Sequence, residues 1–120
     1  MSFEHTFTDL PAENEYPKLV RDKIPDIILA HDGVTVPTRI LSDDDEYLAF
    51  LLRKGREEAE ELSEAQTESN MREEIADLYE IIDTILALKG IPRADIVGIQ
   101  DEKRQKRGGF DQRILMLDKR

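Results

Sequence analysis

Residues 57–62, EEAEEL, answered by residues 73–78, EEIADL, decide how this chain folds. Each sits in a run whose apolar residues recur every three or four positions, the period of an α-helix packed on one side. At about 100° per residue, Leu48, Leu51, Leu62 and Ala65 form an apolar stripe on the first run. Ile75, Leu78, Ile81, Ile82 and Ile85 form one on the second. Glu58 falls within the first stripe, roughly 40° from Leu62, with Glu61 on its border, while Glu57 and Glu60 point away. Glu74 falls within the second, roughly 40° from Leu78, with Asp77 at its edge and Glu73 outward. The pattern predicts a helical hairpin that aims a carboxylate pair from each helix at one interface.

The hairpin's boundaries can be placed outward from there. Ser42-Asp43-Asp44-Asp45 puts Ser42 at an N-cap and Asp45 at N3, which predicts a helix from about Asp43 to Ala65. Residues 66–70 (QTESN) separate it from a second helix, about Met71 to Leu88, closed by Lys89-Gly90. Pro92 suits N1 of a third helix running to about Lys106 and stopped by Gly108-Gly109. Upstream, Ile24, Ile27 and Ile28 mark a short helix from Asp22 or Pro25 to His31. Val34 to Leu41 (VTVPTRIL) is β-branched but interrupted by Pro37, so an edge strand or an ordered loop is expected. Residues 1–17 read as an aperiodic arm, and the alternating tail Phe110 to Leu117 is left undecided. The fold class is therefore all-α, with residues 18–120 as the domain. A hairpin this short buries little, so further helices and a second subunit are expected to complete a four-helix-bundle-like assembly.

Composition narrows the function. The 120 residues carry 27 acidic and 17 basic side chains, a net charge of −10, and no Cys. Such a surface disfavours binding to nucleic-acid polymers. Without Cys there is no disulfide framework, thiolate metal site or thiol nucleophile, and a reducing cytoplasm is the expected setting. No apolar run is long enough to span a membrane, and the acidic start lacks a signal-peptide pattern.

Four unpaired carboxylates at one interface would be expensive through desolvation and mutual repulsion. Two readings stay open at this point. A hard divalent cation, Mg²⁺ or Mn²⁺, could take oxygen ligands from both helices. Alternatively these are solvated faces with Lys and Arg partners one turn away, which suits Glu57, Glu60, Glu64 and Glu73 but not Glu58 or Glu74. A di-iron bundle would need Glu-x-x-His on facing helices, and the two histidines, His5 and His31, lie elsewhere. Two basic clusters offer phosphate contacts, Lys18/Arg21/Lys23 and Lys103/Arg104/Lys106/Arg107, the second running into two glycines. Their plain alternatives are surface salt bridges and cations at a helix C-terminus. Lys54, one turn before Glu58, could pair with it or reach a phosphate. Tyr47, Phe50, Tyr79 and Phe110 are candidate base stackers and equally ordinary core, and the role of Asp83 within IIDTIL is open.

Glu58-x-x-Glu61, twelve intervening residues, then Glu74-x-x-Asp77 resembles the signature of the MazG-like all-α nucleoside triphosphate pyrophosphohydrolases. Lys18-Leu19-Val20-Arg21-Asp22-Lys23-Ile24-Pro25 and Lys106-Arg107-Gly108-Gly109-Phe110 resemble its phosphoribosyl-ATP pyrophosphohydrolase-like branch. The resemblance implies cleavage between the α- and β-phosphates of a nucleotide, giving a monophosphate and pyrophosphate. It implies Mg²⁺, with Mn²⁺ able to substitute, held by Glu58, Glu61, Glu74 and Asp77. Glu61 and Glu58 are the expected catalytic carboxylates, with Glu61 as acceptor of the water proton. Lys18, Arg21, Lys23, Lys54, Lys106 and Arg107 are the expected phosphate contacts, and a homodimer or dimer of dimers is the implied assembly. House-cleaning of non-standard nucleotides fits that activity. The alternatives are phosphoribosyl-ATP as substrate, or an acidic metal-binding helical module without turnover.

Overall fold

The computed structural model describes residues 16–120; His5 and the arm up to residue 15 lie outside the described residues. Among the described residues there are four α-helices and no strand: α1 (Ile24–Asp32), α2 (Asp44–Glu64), α3 (Glu68–Lys89) and α4 (Arg93–Arg107). The chain divides into two compact units, one ending at Ile85 and one running from Leu86 to Arg120.

In the first unit α1 starts with Lys23 as N-cap and Pro25 in its first turn. It ends at Gly33, whose φ of 67° is the left-handed conformation that glycine adopts without strain, and whose N–H donates to Leu29 O. Residues 34–42 run as an irregular connection, so of the two expectations for Val34 to Leu41 it is the loop that holds. Pro37 lacks the N–H a ladder needs, and Arg39 turns aside to form a two-pronged bond with Glu46 at 3.0 and 2.7 Å.

Helix α2 begins one residue later than its capping pattern predicts. Asp43, not Ser42, is the N-cap, and its side chain accepts from Glu46 N–H at 2.9 Å. The run SDDDE contains two overlapping capping frames. The later one places an acidic residue at all three of the first helical positions and pairs Glu46 with Arg39. The turn into α3 is also shorter than expected. Thr67 Oγ1 accepts from Asn70 N–H at 3.0 Å, so Thr67 caps α3 and the helix starts at Glu68 rather than near Met71. Helices α2 and α3 lie close together at Gly55, where an added Cβ would come within 3.4 Å of Ile81 Cγ2. The arm joins the same unit through Arg53 Nη1, which donates to Pro17 O at 3.3 Å.

The second unit opens with the end of α3. Gly90, at φ 64°, donates to Ala87 O, and Ile91 donates to Leu86 O, the paired bonds of a Schellman stop. Pro92 is the N-cap of α4 rather than its first helical residue, with extended backbone and its carbonyl accepting from Asp95 N–H. Gly108 ends α4, and residues 108–120 carry no helix or strand. Arg104 of α4 ties this tail to the helix through Asp111 at 2.9 Å, while Phe110 and Ile114 to Leu117 are exposed.

The two capping frames make different predictions for stability. Asp43→Ala should lower the unfolding free energy by about 1 kcal/mol, whereas Ser42→Ala should change it by only a few tenths of that. Urea unfolding followed by circular dichroism measures both.

Candidate metal centre

Leu51 and Glu58 stand seven positions apart, two helical turns, so both side chains leave α2 on one face. They are the buried side chains among the described residues, at 1% and 3% exposure. A carboxylate thus occupies a position as enclosed as the central leucine. Glu61, one turn further, is half-buried, and α3 brings half-buried Glu74 across the hairpin. One oxygen from each of Glu58, Glu61 and Glu74 lies within 4.8 Å of the other two. Oxygens on opposite sides of a Mg²⁺ ion lie about 4.2 Å apart, so this spacing suits a shared hard cation with little adjustment.

The electrostatics show the strain of that arrangement. Glu58 Oε2 and Glu74 Oε2 are buried without a hydrogen-bond partner. Lys54 Nζ stands 3.6 Å from Glu58 Oε1 and 3.5 Å from Glu57 Oε2, offsetting part of the charge. Burial, then the neighbouring Glu74 carboxylate and the charge of Glu61, push Glu58 up to about 9, against the opposing pull of Lys54. Glu74 is also raised, chiefly by burial, although its bond with Glu58 acts in the other direction. Without a metal, then, burial and like charge favour a proton on the Glu58–Glu74 pair. A divalent cation would take the proton's place, since metal ligands bind deprotonated.

A cavity of about 770 Å³ lies over this cluster, and Lys18, Arg21, Lys54 and Asp77 line it together with the three glutamates. Three of the expected phosphate contacts are thereby brought to the expected carboxylates. Asp77 shares the cavity but is held differently from the glutamates: its Oδ1 accepts from Arg21 Nη2 at 2.7 Å. The Lys18 ammonium stands 5.1 Å from the centre of the Tyr16 ring. Lys23 is the exposed N-cap of α1. Lys106 and Arg107 belong to the second unit, where Lys106 pairs with Glu102 at 2.7 Å and Arg107 ends α4. Of the aromatic candidates, Phe50 carries the Arg53 guanidinium at 5.3 Å, Tyr47 is half-buried, and Tyr79 and Phe110 are exposed.

Two placements differ from the helical-wheel reading. Glu57, expected to point away, is half-buried against Lys54. Gln66 and Asn70 line the cavity near the hairpin turn, although the sequence marked residues 66–70 only as a break. The Thr67 cap was the available signal, because it places Asn70 in the first turn of α3. No model of a known protein family matches this chain, and no curated protein or solved structure does either.

The raised Glu58 has a thermodynamic consequence. Its folded-state value of about 9 exceeds the unfolded value of about 4.3, so between these limits the folded chain binds the extra proton. Its contribution to stability is full below the unfolded value and is lost as pH rises through the folded one. In the presence of a chelator, the melting temperature should fall as pH is raised from about 5 to about 9. Glu58→Gln should flatten that slope, and thermal unfolding at constant ionic strength measures it.

Proposed function

We propose that this chain is a divalent-metal-dependent nucleotide pyrophosphohydrolase, of the MazG-like kind its acidic signature resembles. The observation that carries the reading is Glu58, enclosed to 3% exposure with an unpartnered oxygen beside two further carboxylates. A purely structural hairpin gains nothing from a charge there, since an apolar side chain of similar volume would be as stable or more so. A cation site requires it.

Glu58, Glu61 and Glu74 would hold Mg²⁺ or Mn²⁺, whose preference for oxygen donors fits this set. Bound there, such an ion supplies neutralisation of polyphosphate charge and a more acidic water. The chain's own residues supply the rest. Lys18, Arg21 and Lys54 offer cations to phosphate oxygens from the cavity wall. Glu61 accepts the proton of the attacking water as its oxygen bonds to the α-phosphorus. The bond from that phosphorus to the bridging oxygen breaks, and pyrophosphate leaves with the electron pair. A nucleoside triphosphate, including non-standard ones, is the substrate class, with phosphoribosyl-ATP the nearest alternative.

Product analysis with Mg²⁺ and a panel of ribo-, deoxy- and modified triphosphates plus phosphoribosyl-ATP tests the reaction. Monophosphate and pyrophosphate should appear and be lost with EDTA. Glu58→Gln and Glu74→Gln should each lower kcat/KM by about a hundredfold or more. No turnover with any nucleotide, despite divalent-ion binding, would make the chain a metal-binding module instead.

The assembly reading has its own support. On α3, Ile75, Tyr79 and Ile82 are 37%, 62% and 48% exposed, and Leu51 is the buried apolar side chain among the described residues. A second copy laid on this face would pair two hairpins into a four-helix bundle. Sedimentation equilibrium at micromolar concentration should return a dimer or dimer of dimers, and Ile82→Glu should shift it to monomer.

A further inference from the structure

Asp77 stands on α3 one turn beyond Glu74 and lines the same cavity as the three-glutamate cluster. Its Oδ1 is nevertheless bonded to Arg21 Nη2 at 2.7 Å, across 56 positions of sequence. Arg21 is held at the entrance to α1, where its carbonyl accepts from Ile24 N–H at 3.0 Å, while its side chain remains largely exposed. Each partner has a competing attachment. A guanidinium binds phosphate oxygens in the same forked geometry it uses for carboxylates. A carboxylate beside a divalent cation binds the cation. The cluster beside them independently points to a cation, because Glu58 is nearly fully enclosed and its Oε2 has no partner.

We propose that the Arg21–Asp77 pair is an exchange latch that couples anion binding to metal binding. A phosphate group entering the cavity takes the Arg21 guanidinium and frees Asp77. Asp77 then joins Glu58, Glu61 and Glu74 as a fourth carboxylate for the divalent ion. The inference rests on the metal-centre reading and adds cooperativity to it. Phosphate and metal each favour the other, by the same factor in both directions, because binding free energies are reciprocal. The latch keeps the full acidic set from assembling around a cation until a phosphate-bearing ligand is present.

A double-mutant cycle on the full chain, read by Mn²⁺ titration with and without inorganic phosphate, tests this. Arg21→Gln should tighten Mn²⁺ binding without phosphate by about tenfold when Asp77 is present. Combined with Asp77→Asn, the same change should alter the affinity by less than about twofold. In the unaltered protein phosphate should tighten Mn²⁺ by about tenfold, and Asp77→Asn should remove most of that gain. Arg39→Gln, which breaks the exposed pair with Glu46, should behave as the unaltered chain. Equal tightening by Arg21→Gln with and without Asp77 would mean that only a repelling charge was removed, and would overturn the latch. Failure of the metal reading looks different: Mn²⁺ would not bind the unaltered chain, or would bind equally well after Glu58→Gln. Helical circular dichroism of every variant verifies that the fold is retained.

Discussion

The Glu58 carboxylate sits where a helical hairpin would ordinarily bury a leucine. Removed from water, such a group must be neutralised by a proton, by a cationic side chain or by a metal ion. Lys54 answers part of that demand at 3.6 Å, and burial, which raises Glu58, favours a proton for the rest when no metal is bound. Glu61 and Glu74 intensify the problem by bringing two more carboxylates within 4.8 Å. A divalent cation bound among them would neutralise all three at once. The helices supply the rigidity for this, since α2 fixes Glu58 and Glu61 one turn apart and α3 presents Glu74 from the facing side.

The sequence revealed the hairpin and its most important charge because both depend on local periodicity. Leu51, Glu58 and Leu62 fall on one stripe at 3.6 residues per turn, and a glutamate within that stripe has nowhere else to go. What periodicity could not resolve was the competition between near-equivalent local solutions. Ser42 and Asp43 both offer a cap three residues before an acidic residue, and only the later frame lets Glu46 also meet Arg39. The α3 start is hidden because Thr67 sits in a polar run with the composition of a break, and only its hydroxyl, accepting from Asn70 N–H, marks it as the cap. Long-range pairing was illegible for a different reason. Arg21 and Asp77 each showed a sensible separate role, and nothing in local spacing says that they meet across 56 residues.

That meeting changes how the cavity is understood. Of the four expected carboxylates, Glu58, Glu61 and Glu74 gather within 4.8 Å of one another, while Asp77, which lines the same cavity, is engaged by Arg21. The expected phosphate contacts likewise divide between units: Lys18, Arg21, Lys23 and Lys54 belong to the first, Lys106 and Arg107 to the second. In a chain of net charge −10, Lys18, Arg21 and Lys54 gather positive charge at the cavity wall. Under the proposed function, a polyphosphate would be repelled by this acidic surface at long range, and a bound metal ion with these cations would reverse that repulsion at short range.

The most direct test of the central claim is a crystal structure grown with Mn²⁺ near pH 8 and recorded at a wavelength where manganese scatters anomalously. The account predicts an anomalous peak bonded to oxygens of Glu58, Glu61 and Glu74. At saturating Mn²⁺, a site without a peak and with the three carboxyl groups hydrogen-bonded to one another would contradict it.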